Sequence, residues 1–138
     1  MLTNKRAIHV EWGDCDPLGI VYFPRYFEFF DACTNALFEK AGFPKPELMK
    51  KFRMDGIPLV DARAKFSVPS SFGDTVMVET RVAVWGRSSF SVEHKLFRGV
   101  VLAVVGWEKR VWVVRVDDGE KRIKSAEIPK EVRERFEV

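Results

Sequence analysis

The stretch that decides the fold is residues 22–41, YFPRYFEFFDACTNALFEKA. Its apolar residues recur at helical spacing, which predicts a helix over Tyr22–Ala41. Pro24 suits the first turn, where a missing N–H removes no hydrogen bond, and Gly42 suits the end, where a left-handed residue is favoured. The apolar stripe consists of Tyr26, Phe29, Phe30, Cys33, Ala36, Leu37 and Ala41, and it is widened by Phe27 and Phe38. A helix this aromatic needs to be wrapped by other elements.

Segments with alternating apolar and polar residues predict strands on either side of this helix. One precedes the helix and the others follow it: Ala7–Trp12, Ile57–Val68, Thr75–Trp85, Ser88–Arg98, Val100–Val116 and Lys121–Ile123. Val100–Val116 is too long for a simple strand, so we expect a bulge or bend at Gly106. Gly99 and Asp117–Gly119 are typical of turns.

Three of the predicted strands have a clearly apolar face, which predicts the side that meets the helix. These faces comprise Val60, Ala62, Ala64 and Phe66; Val76, Val78, Val82 and Val84; and Phe90, Val92, His94 and Leu96. We interpret His94 as a hydrogen-bonded core histidine, because it lies on an apolar face. Two short helical segments complete the pattern, one at Pro46–Phe52 and one that Pro129 opens and that runs to about Phe136.

One early helix followed by a run of strands is an α+β pattern. We predict a single domain over residues 1–138, in which a curved antiparallel β-sheet is wrapped around one long central α-helix. One helix cannot cover the edges and the outer face of such a sheet. We therefore expect the protein to oligomerise through a sheet edge or an exposed face.

The composition, 46% apolar and 31% charged, is that of a globular protein. Its 23 basic and 20 acidic residues are interspersed and give a net charge of +3, which argues against a dedicated nucleic-acid-binding protein, since such a protein clusters its basic residues. The longest apolar run, residues 100–106, is too short for membrane insertion. The two cysteines, Cys15 and Cys33, make no disulfide framework, and no signal sequence is recognisable, so we expect a cytoplasmic protein.

Several catalytic motifs are absent from the sequence. It contains no phosphate-binding loop, no dinucleotide glycine fingerprint and no Gly-x-Ser-x-Gly elbow. The sequence has two histidines, His9 and His94, so few residues could supply the base of a serine–histidine–aspartate triad.

The most unusual segment is the loop before the helix, residues 9–19, HVEWGDCDPLG. Its two aspartates and Gly19 match part of a calcium loop, but Leu18 stands where an oxygen ligand is needed. A transition-metal site could be built from His9, Glu11 and an aspartate, but it would contain only one histidine. We therefore predict that the loop binds no metal.

Two catalytic interpretations of this loop remain. Cys15 could act as a nucleophile beside the helix N-terminus. Alternatively, Asp14 or Asp16 is a catalytic carboxylate, and the free N–H groups of the first helical turn bind a developing oxyanion. A structural role, in which a loop aspartate caps a turn or the helix, competes with both.

The same loop resembles the signature of a known family. Residues 11–26, EWGDCDPLGIVYFPRY, resemble the hotdog-fold thioesterases, and the Asp-Cys-Asp-Pro loop is most similar to the 4-hydroxybenzoyl-CoA thioesterase type. Asp55–Val60, Trp85–Phe90 and Ala126–Pro129 also resemble segments of this family, the second of them a stretch that meets CoA phosphates. The resemblance covers nearly the whole chain and implies a curved sheet around one long helix, which the residue pattern predicts independently.

This resemblance implies that the protein hydrolyses an acyl-CoA to a free acid and CoA. Asp16 corresponds to the catalytic carboxylate and Phe23 to the residue whose backbone N–H polarises the thioester carbonyl, while Asp14 and Cys15 mainly shape the loop. Arg87 corresponds to a residue that contacts the CoA phosphates. The remaining implied substrate-binding residues are Gly19, Ile20, Val21 and Tyr22. No metal or redox cofactor is implied, since coenzyme A is part of the substrate, and the expected assembly is a homodimer or a homotetramer built as a dimer of dimers.

Two positions depart from the family pattern. A sister branch has a histidine where this chain has Phe23, so that histidine's role is not carried over. The 4-hydroxybenzoyl branch has three consecutive basic residues after its tryptophan, whereas this chain has Gly86, Arg87 and Ser88. The alternatives are a non-catalytic acyl-CoA-binding module and a hydratase or dehydratase on the same fold. The sequence does not decide the acyl group, or whether Asp16 is a nucleophile or a general base.

Overall fold

The computed structural model describes residues 1–116 and 122–137 of the chain. The strands are β1 (Thr3–His9), β2 (Met54–Gly56), β3 (Leu59–Phe66), β4 (Thr75–Trp85), β5 (Ser89–Arg98), β6 (Val101–Val111), β7 (Val113–Val116) and β8 (Arg122–Ser125). The helices are α1 (Phe23–Lys40), α2 (Lys45–Phe52) and α3 (Lys130–Phe136), and a single 3-10 turn spans Trp12–Asp14. Among these described residues, no helix has the length and apolarity that crossing a membrane requires.

Five strands form one antiparallel sheet in the order β1-β4-β5-β6-β3, and the short strands β2, β7 and β8 form a second sheet. Helix α1 packs against the five-stranded sheet, with the Phe38 ring 5.7 Å from that of Phe90. The predicted α+β fold, a sheet around one long helix, is confirmed. The sheet leaves β1 and β3 as its two edges.

Helix α1 forms where its apolar spacing predicts, within one residue at each end. Tyr22 and Ala41 flank it, Pro24 lies in its first turn, and Gly42 follows with a φ of +92°. Its buried residues are Tyr26, Phe30, Cys33, Thr34, Leu37 and Phe38. Burial of one such aromatic side chain contributes about 2 kcal/mol, so the packing of α1 is a major source of stability.

The long predicted strand breaks at Trp112 and not at Gly106, contrary to the prediction. Strand β6 continues through Gly106, where its pairing with β3 and β5 shows no register shift. The role of Gly106 is steric, because a Cβ there would lie 2.4 Å from Cε2 of Phe30. At Trp112 the backbone leaves the main ladder, since its N–H donates to Ser88 O at 2.7 Å and its carbonyl accepts from Ala126 N at 3.0 Å.

Two further strand predictions are wrong in detail. Strand β1 begins earlier than the predicted Ala7–Trp12 and ends at His9, where it pairs with Thr75. In β4 the predicted apolar face holds up to Val82, but Val84 is 60% exposed because the pairing with β5 shifts register between these two residues.

The remaining boundaries agree more closely. The four inward residues of β5 are all buried, as predicted. The strand predicted at Lys121–Ile123 is β8, which extends to Ser125, while Lys121 and the predicted turn at Asp117–Gly119 lie outside the described residues. Both predicted short helices form, as α2 and α3.

Strand β3 has the predicted alternation but not the predicted burial. The Phe66 ring lies 5.3 Å from that of Tyr26 on α1, so the apolar face does point toward the helix. Yet Val60 and Phe66 are 59% and 48% exposed, because β3 is an edge strand and α1 covers it incompletely. The chain therefore exposes an apolar sheet edge.

A buried polar network joins α1 to β5 and β6. The Glu108 Oε1 atom accepts hydrogen bonds from Thr34 Oγ1 at 2.5 Å and from His94 Nε2 at 3.1 Å, and Oε2 accepts from Arg110 Nη2 at 2.9 Å. His94 Nδ1 lies 2.8 Å from Thr80 Oγ1. His94 is fully buried, so its prediction as a hydrogen-bonded core histidine is confirmed. The network satisfies polar groups that would be costly to bury alone.

We expect this network to make the stability of the protein depend on pH in the acid range. Burial by itself raises the pKa of Glu108, but the hydrogen bonds and charges of His94 and Arg110 lower it overall, from 4.5 to about 2. Since the folded pKa is lower than the unfolded one, ionised Glu108 stabilises the fold above pH 4.5, and this contribution is lost as the pH falls toward 2.

We predict that the free energy of unfolding, measured with urea, falls more steeply between pH 4.5 and pH 2 in the wild type than in Glu108→Gln. The variant lacks the titrating carboxyl group, so its free energy of unfolding loses the part of the pH dependence that Glu108 contributes. Equal slopes would show that Glu108 makes no such contribution.

Candidate functional site

The loop before α1 is held by its own backbone and by one aspartate. The Asp14 side chain accepts the Glu11 N–H at Oδ2 (2.9 Å), and its carbonyl accepts the Tyr22 N–H at 2.8 Å. Cys15 donates its N–H to Trp12 O at 3.1 Å, and its Sγ lies 3.6 Å from Glu11 O. Asp14 and Cys15 are thus engaged in forming the loop.

Asp16 occupies a tight turn whose residue types explain its shape. The Asp16 carbonyl accepts the Gly19 N–H at 2.8 Å, and the Asp16 N–H donates to Ile20 O at 2.9 Å. Pro17 suits the second position of the turn, and Gly19 closes it with a φ of +82° that favours glycine. The sequence Asp-Pro-Leu-Gly therefore sets this turn locally.

The turn leaves half of the Asp16 carboxylate free. The Oδ1 atom accepts the Leu18 N–H at 2.8 Å, and Oδ2 has no hydrogen bond or ion pair within residues 1–116 and 122–137. Asp16 is half-buried. One oxygen is thus oriented by the backbone, while the other is available to a substrate or a water molecule.

The start of α1 supplies an unpaired donor. Tyr22 precedes the helix without a side-chain cap, and the Arg25 N–H bonds back to Tyr22 O at 2.8 Å. Pro24 has no N–H, and the Phe23 N–H has no acceptor in the described part of the chain. The Phe23 N–H at the positive end of an 18-residue helix is therefore suited to bind a partially negative oxygen.

A pocket of about 220 Å³ opens at this helix start, between α1 and the end of β3. Its lining is mostly apolar and consists of Ile20, Val21, Phe23, Tyr26, Phe66, Ser67, Val68 and Pro69. Three of the predicted site residues, Ile20, Val21 and Phe23, line the pocket, whereas Asp16, Gly19 and Tyr22 lie beside it in the adjoining loop.

The far wall of this pocket is not apparent from the sequence. The apolar pattern places Phe66 and Tyr26 in the core, and no motif marks Val68 or Pro69 as part of a site. Phe66, Val68 and Pro69 lie more than 40 residues after Phe23 in the sequence. The pairing of Ile20 with Ser71 and the hydrogen bond from Val21 N–H to Ser70 O, 2.9 Å long, bring the two segments together. A second pocket of about 450 Å³ lies further along the α1–β3 boundary, where Asp31, Leu59 and Arg110 contribute to its wall.

Arg87 lies at the other end of the molecule. Its hairpin contacts α3, and Phe136 of α3 packs 4.9 Å from Phe38 near the end of α1. Helix α1 separates this end from Phe23 by about 27 Å, the length of 18 helical residues. Within one chain, the structure therefore does not bring Arg87 to Asp16.

The calcium and transition-metal interpretations of this loop require a cluster of ligand side chains. In the described residues, no group of three or more His, Cys, Asp or Glu side chains is placed to hold a metal ion. His9 Nδ1 lies 3.3 Å from Thr75 Oγ1 at the end of β1.

The protein has the architecture of the hotdog class, in which one sheet covers a long helix. A turn that carries Asp16 leads directly into the start of this helix. The comparison with known families is specific: residues 10–136 match the thioesterase-like superfamily, and the chain belongs to this family. It is a thioester hydrolase.

Relatives and solved structures support this assignment. The chain is 34% identical over 124 residues to the 4-hydroxybenzoyl-CoA thioesterase of Pseudomonas sp. strain CBS-3, covering 87% of each chain. The chain also superposes on a solved structure of 4-hydroxybenzoyl-CoA thioesterase, with a TM-score of 0.90 at 30% identity and 99% coverage of both chains. That structure is of a variant in which asparagine replaces an aspartate, in complex with 4-hydroxybenzoyl-CoA. A gentisyl-coenzyme A thioesterase superposes with a TM-score of 0.83 at 30% identity, covering 98% of this chain and 100% of the other.

Proposed function

We propose that this acyl-CoA thioesterase uses Asp16 as its catalytic carboxylate and the Phe23 N–H as the donor to the thioester carbonyl. The observation that carries the proposal is the unpaired Phe23 N–H in the wall of an apolar pocket, seven residues after a carboxylate with one free oxygen. The donor and the carboxylate are presented by one continuous loop and helix start. Such a junction can hold both groups on one reacting carbonyl.

In the proposed reaction the thioester carbonyl oxygen accepts the Phe23 N–H, which stabilises negative charge as the tetrahedral intermediate forms. The Asp16 Oδ2 atom either attacks the carbonyl carbon or takes a proton from an attacking water molecule. In the general-base route the C–S bond then breaks, CoA leaves as a thiolate that takes up the proton, and the acyl group leaves as the free acid. In the nucleophilic route the C–S bond breaks to leave a mixed anhydride between the acyl group and Asp16, and a water molecule then hydrolyses this anhydride to release the free acid and restore the carboxylate. This chemistry requires no metal or redox cofactor.

Rapid-quench kinetics separates the two roles of Asp16. A nucleophilic Asp16 releases CoA before the free acid, which produces a burst of CoA, whereas a general base releases both products together. The substrates to test first are 4-hydroxybenzoyl-CoA and gentisyl-CoA, because two relatives at 30% identity or above are named for these aryl groups. Aliphatic acyl-CoAs of several lengths complete the screen.

We propose that Arg87 contacts the CoA phosphates. Its side chain is exposed and makes no hydrogen bond or ion pair among the residues that the structure describes, so it is available to an anion. Because the phosphates are remote from the thioester, Arg87→Ala is expected to raise KM about fivefold or more and leave kcat nearly unchanged. Steady-state kinetics with an acyl-CoA checks this, and an unchanged KM would remove the assignment.

We also propose that the site is completed by a second copy of the chain, in a dimer or a dimer of dimers. Strand β3 exposes Val60 and Phe66 along an unpaired sheet edge, and both pockets beside α1 open along this edge. An edge of this kind is a ready partner for another strand. The proposal requires that the second copy place its Arg87 near these pockets, because one chain alone does not bring Arg87 there.

We expect light scattering at micromolar concentration to give a mass of at least twice the 15.9 kDa of the chain. Val60→Lys is expected to shift the protein toward monomer and to reduce hydrolysis, because it places a charge in the proposed interface. Val84→Lys is the matched control, since Val84 is exposed to the same degree, 60% against 59%, on an interior strand. A monodisperse wild-type monomer would contradict the proposal.

We propose a reducing, cytosolic compartment for the protein. Cys15 and Cys33 are both free thiols in the structure, and Cys33 is buried within the core. Burial raises the pKa of Cys33 to about 11, so this thiol stays protonated at neutral pH.

A further inference from the structure

The hairpin that carries Arg87 is fixed by the C-terminal part of the chain. Gly86 N–H donates to Ser89 O at 2.7 Å, which leaves Arg87 and Ser88 as a two-residue loop between β4 and β5. The Arg87 carbonyl accepts the Ile128 N–H at 2.9 Å, and the Ser88 carbonyl accepts the Trp112 N–H at 2.7 Å. The loop backbone is thus anchored, while the Arg87 side chain remains exposed.

Arg133 of α3 makes the remaining contacts with this loop. Its Nη2 donates to the carbonyl of Gly86 and, at 3.1 Å, to the carbonyl of Arg87. Its guanidinium carbon lies 5.8 Å from the centre of the Trp85 ring. The planar guanidinium of Arg133 therefore contacts the carbonyls of two consecutive residues and also the ring of Trp85. Lysine cannot make this combination of contacts, because its ammonium group is not planar.

Helix α3 is itself firmly docked beside this loop. Val132 and Phe136 are 0% and 2% exposed, and the Phe136 ring lies 5.3 Å from that of Trp85. Loss of the Arg133 side chain would thus leave the helix in place and free the loop locally. The carbonyls of Gly86 and Arg87 would then lose their charged donor.

We propose that Arg133 is a positioning residue for CoA binding, which holds the Gly86–Arg87 backbone so that the Arg87 guanidinium is presented to the CoA phosphates. The inference rests on the proposed phosphate contact of Arg87. Arg133 acts through the backbone of Arg87, and the order it imposes on the loop lowers the entropy lost when the phosphates bind.

The test measures the dissociation constant of free CoA by titration calorimetry and kcat at saturating acyl-CoA. Arg133→Ala is expected to weaken CoA binding about fivefold and leave kcat within about twofold. Arg133→Gln serves as a second variant that keeps an uncharged donor, and it is expected to weaken CoA binding less. Arg135→Ala is the matched control, because Arg135 lies on the same helix and contacts Ala41 O at 3.4 Å and the Phe43 ring instead. It should leave CoA binding unchanged.

The double variant Arg87→Ala with Arg133→Ala decides how Arg133 acts. If Arg133 works through Arg87, the double variant binds CoA no more weakly than Arg87→Ala alone. Unchanged CoA binding in Arg133→Ala, or a full additional loss in the double variant, overturns the inference and leaves the Arg87 assignment intact. If Arg87→Ala itself binds CoA like the wild type, the proposed phosphate contact fails and this inference fails with it.

Discussion

Asp16→Asn is expected to lower kcat for acyl-CoA hydrolysis by at least about 100-fold, the lower range for the loss of a general base. The reason is that the substitution removes the charge and basicity of Oδ2 but preserves the local structure. Asparagine retains the oxygen that accepts the Leu18 N–H at 2.8 Å, so the turn at residues 16–19 should persist. Steady-state kinetics measures the effect, and circular dichroism and the unfolding midpoint establish that the fold is unchanged.

Two neighbours in the same loop provide matched controls for Asp16. Asp14→Asn keeps an acceptor for the Glu11 N–H, and Cys15→Ala removes a thiol that lies 3.6 Å from Glu11 O and packs against the buried apolar cluster. Both are expected to retain activity within about tenfold, since neither group carries the proposed chemistry. If Asp16→Asn stays within a few-fold of wild type while Cys15→Ala is inactive, the mechanism is cysteine-based and the assignment of Asp16 is wrong.

Glu108→Gln is expected to destabilise the protein by about 3 kcal/mol, the largest effect on stability that we predict. The carboxylate accepts hydrogen bonds from Thr34, His94 and Arg110 in a region where it is only 4% exposed. A neutral amide leaves the buried guanidinium of Arg110 without its internal counter-charge, although Asp31 Oδ1 remains 2.8 Å away. Urea unfolding at fixed protein concentration measures the loss, because any association would otherwise shift the midpoint.

Glu93→Gln is the control for the loss of an acidic side chain from the sheet. Glu93 pairs with Arg81 at 3.1 Å, but the Arg81 side chain is 36% exposed. A pair this accessible to solvent contributes about 0–1 kcal/mol. Similar losses in the two variants would indicate that the Glu108 network has no special role in stability.

The sequence predicted those features that depend on neighbours along the chain. Helix α1 was located within one residue because its apolar spacing, Pro24 and Gly42 act within a few residues of each other. The loop that carries Asp16 is also predicted from local residues, because proline fixes its own φ and glycine permits the positive φ that a tight turn needs. The resemblance of the loop to the hotdog thioesterases then predicted the family that the comparisons establish.

Features that depend on register between distant segments were decided only by the tertiary structure. The sequence predicts a bulge or bend at Gly106, but the strand breaks at Trp112, and the missing side chain of Gly106 makes room for Phe30, a contact across 76 positions. Three other features have the same origin: the ion pairs of Glu108, the exposure of β3 and the far wall of the pocket. Each depends on which residues the pairing of the strands places opposite α1. A periodic pattern states which side of a strand is apolar. It does not state which partner covers that side, because coverage is set by the packing of the whole chain.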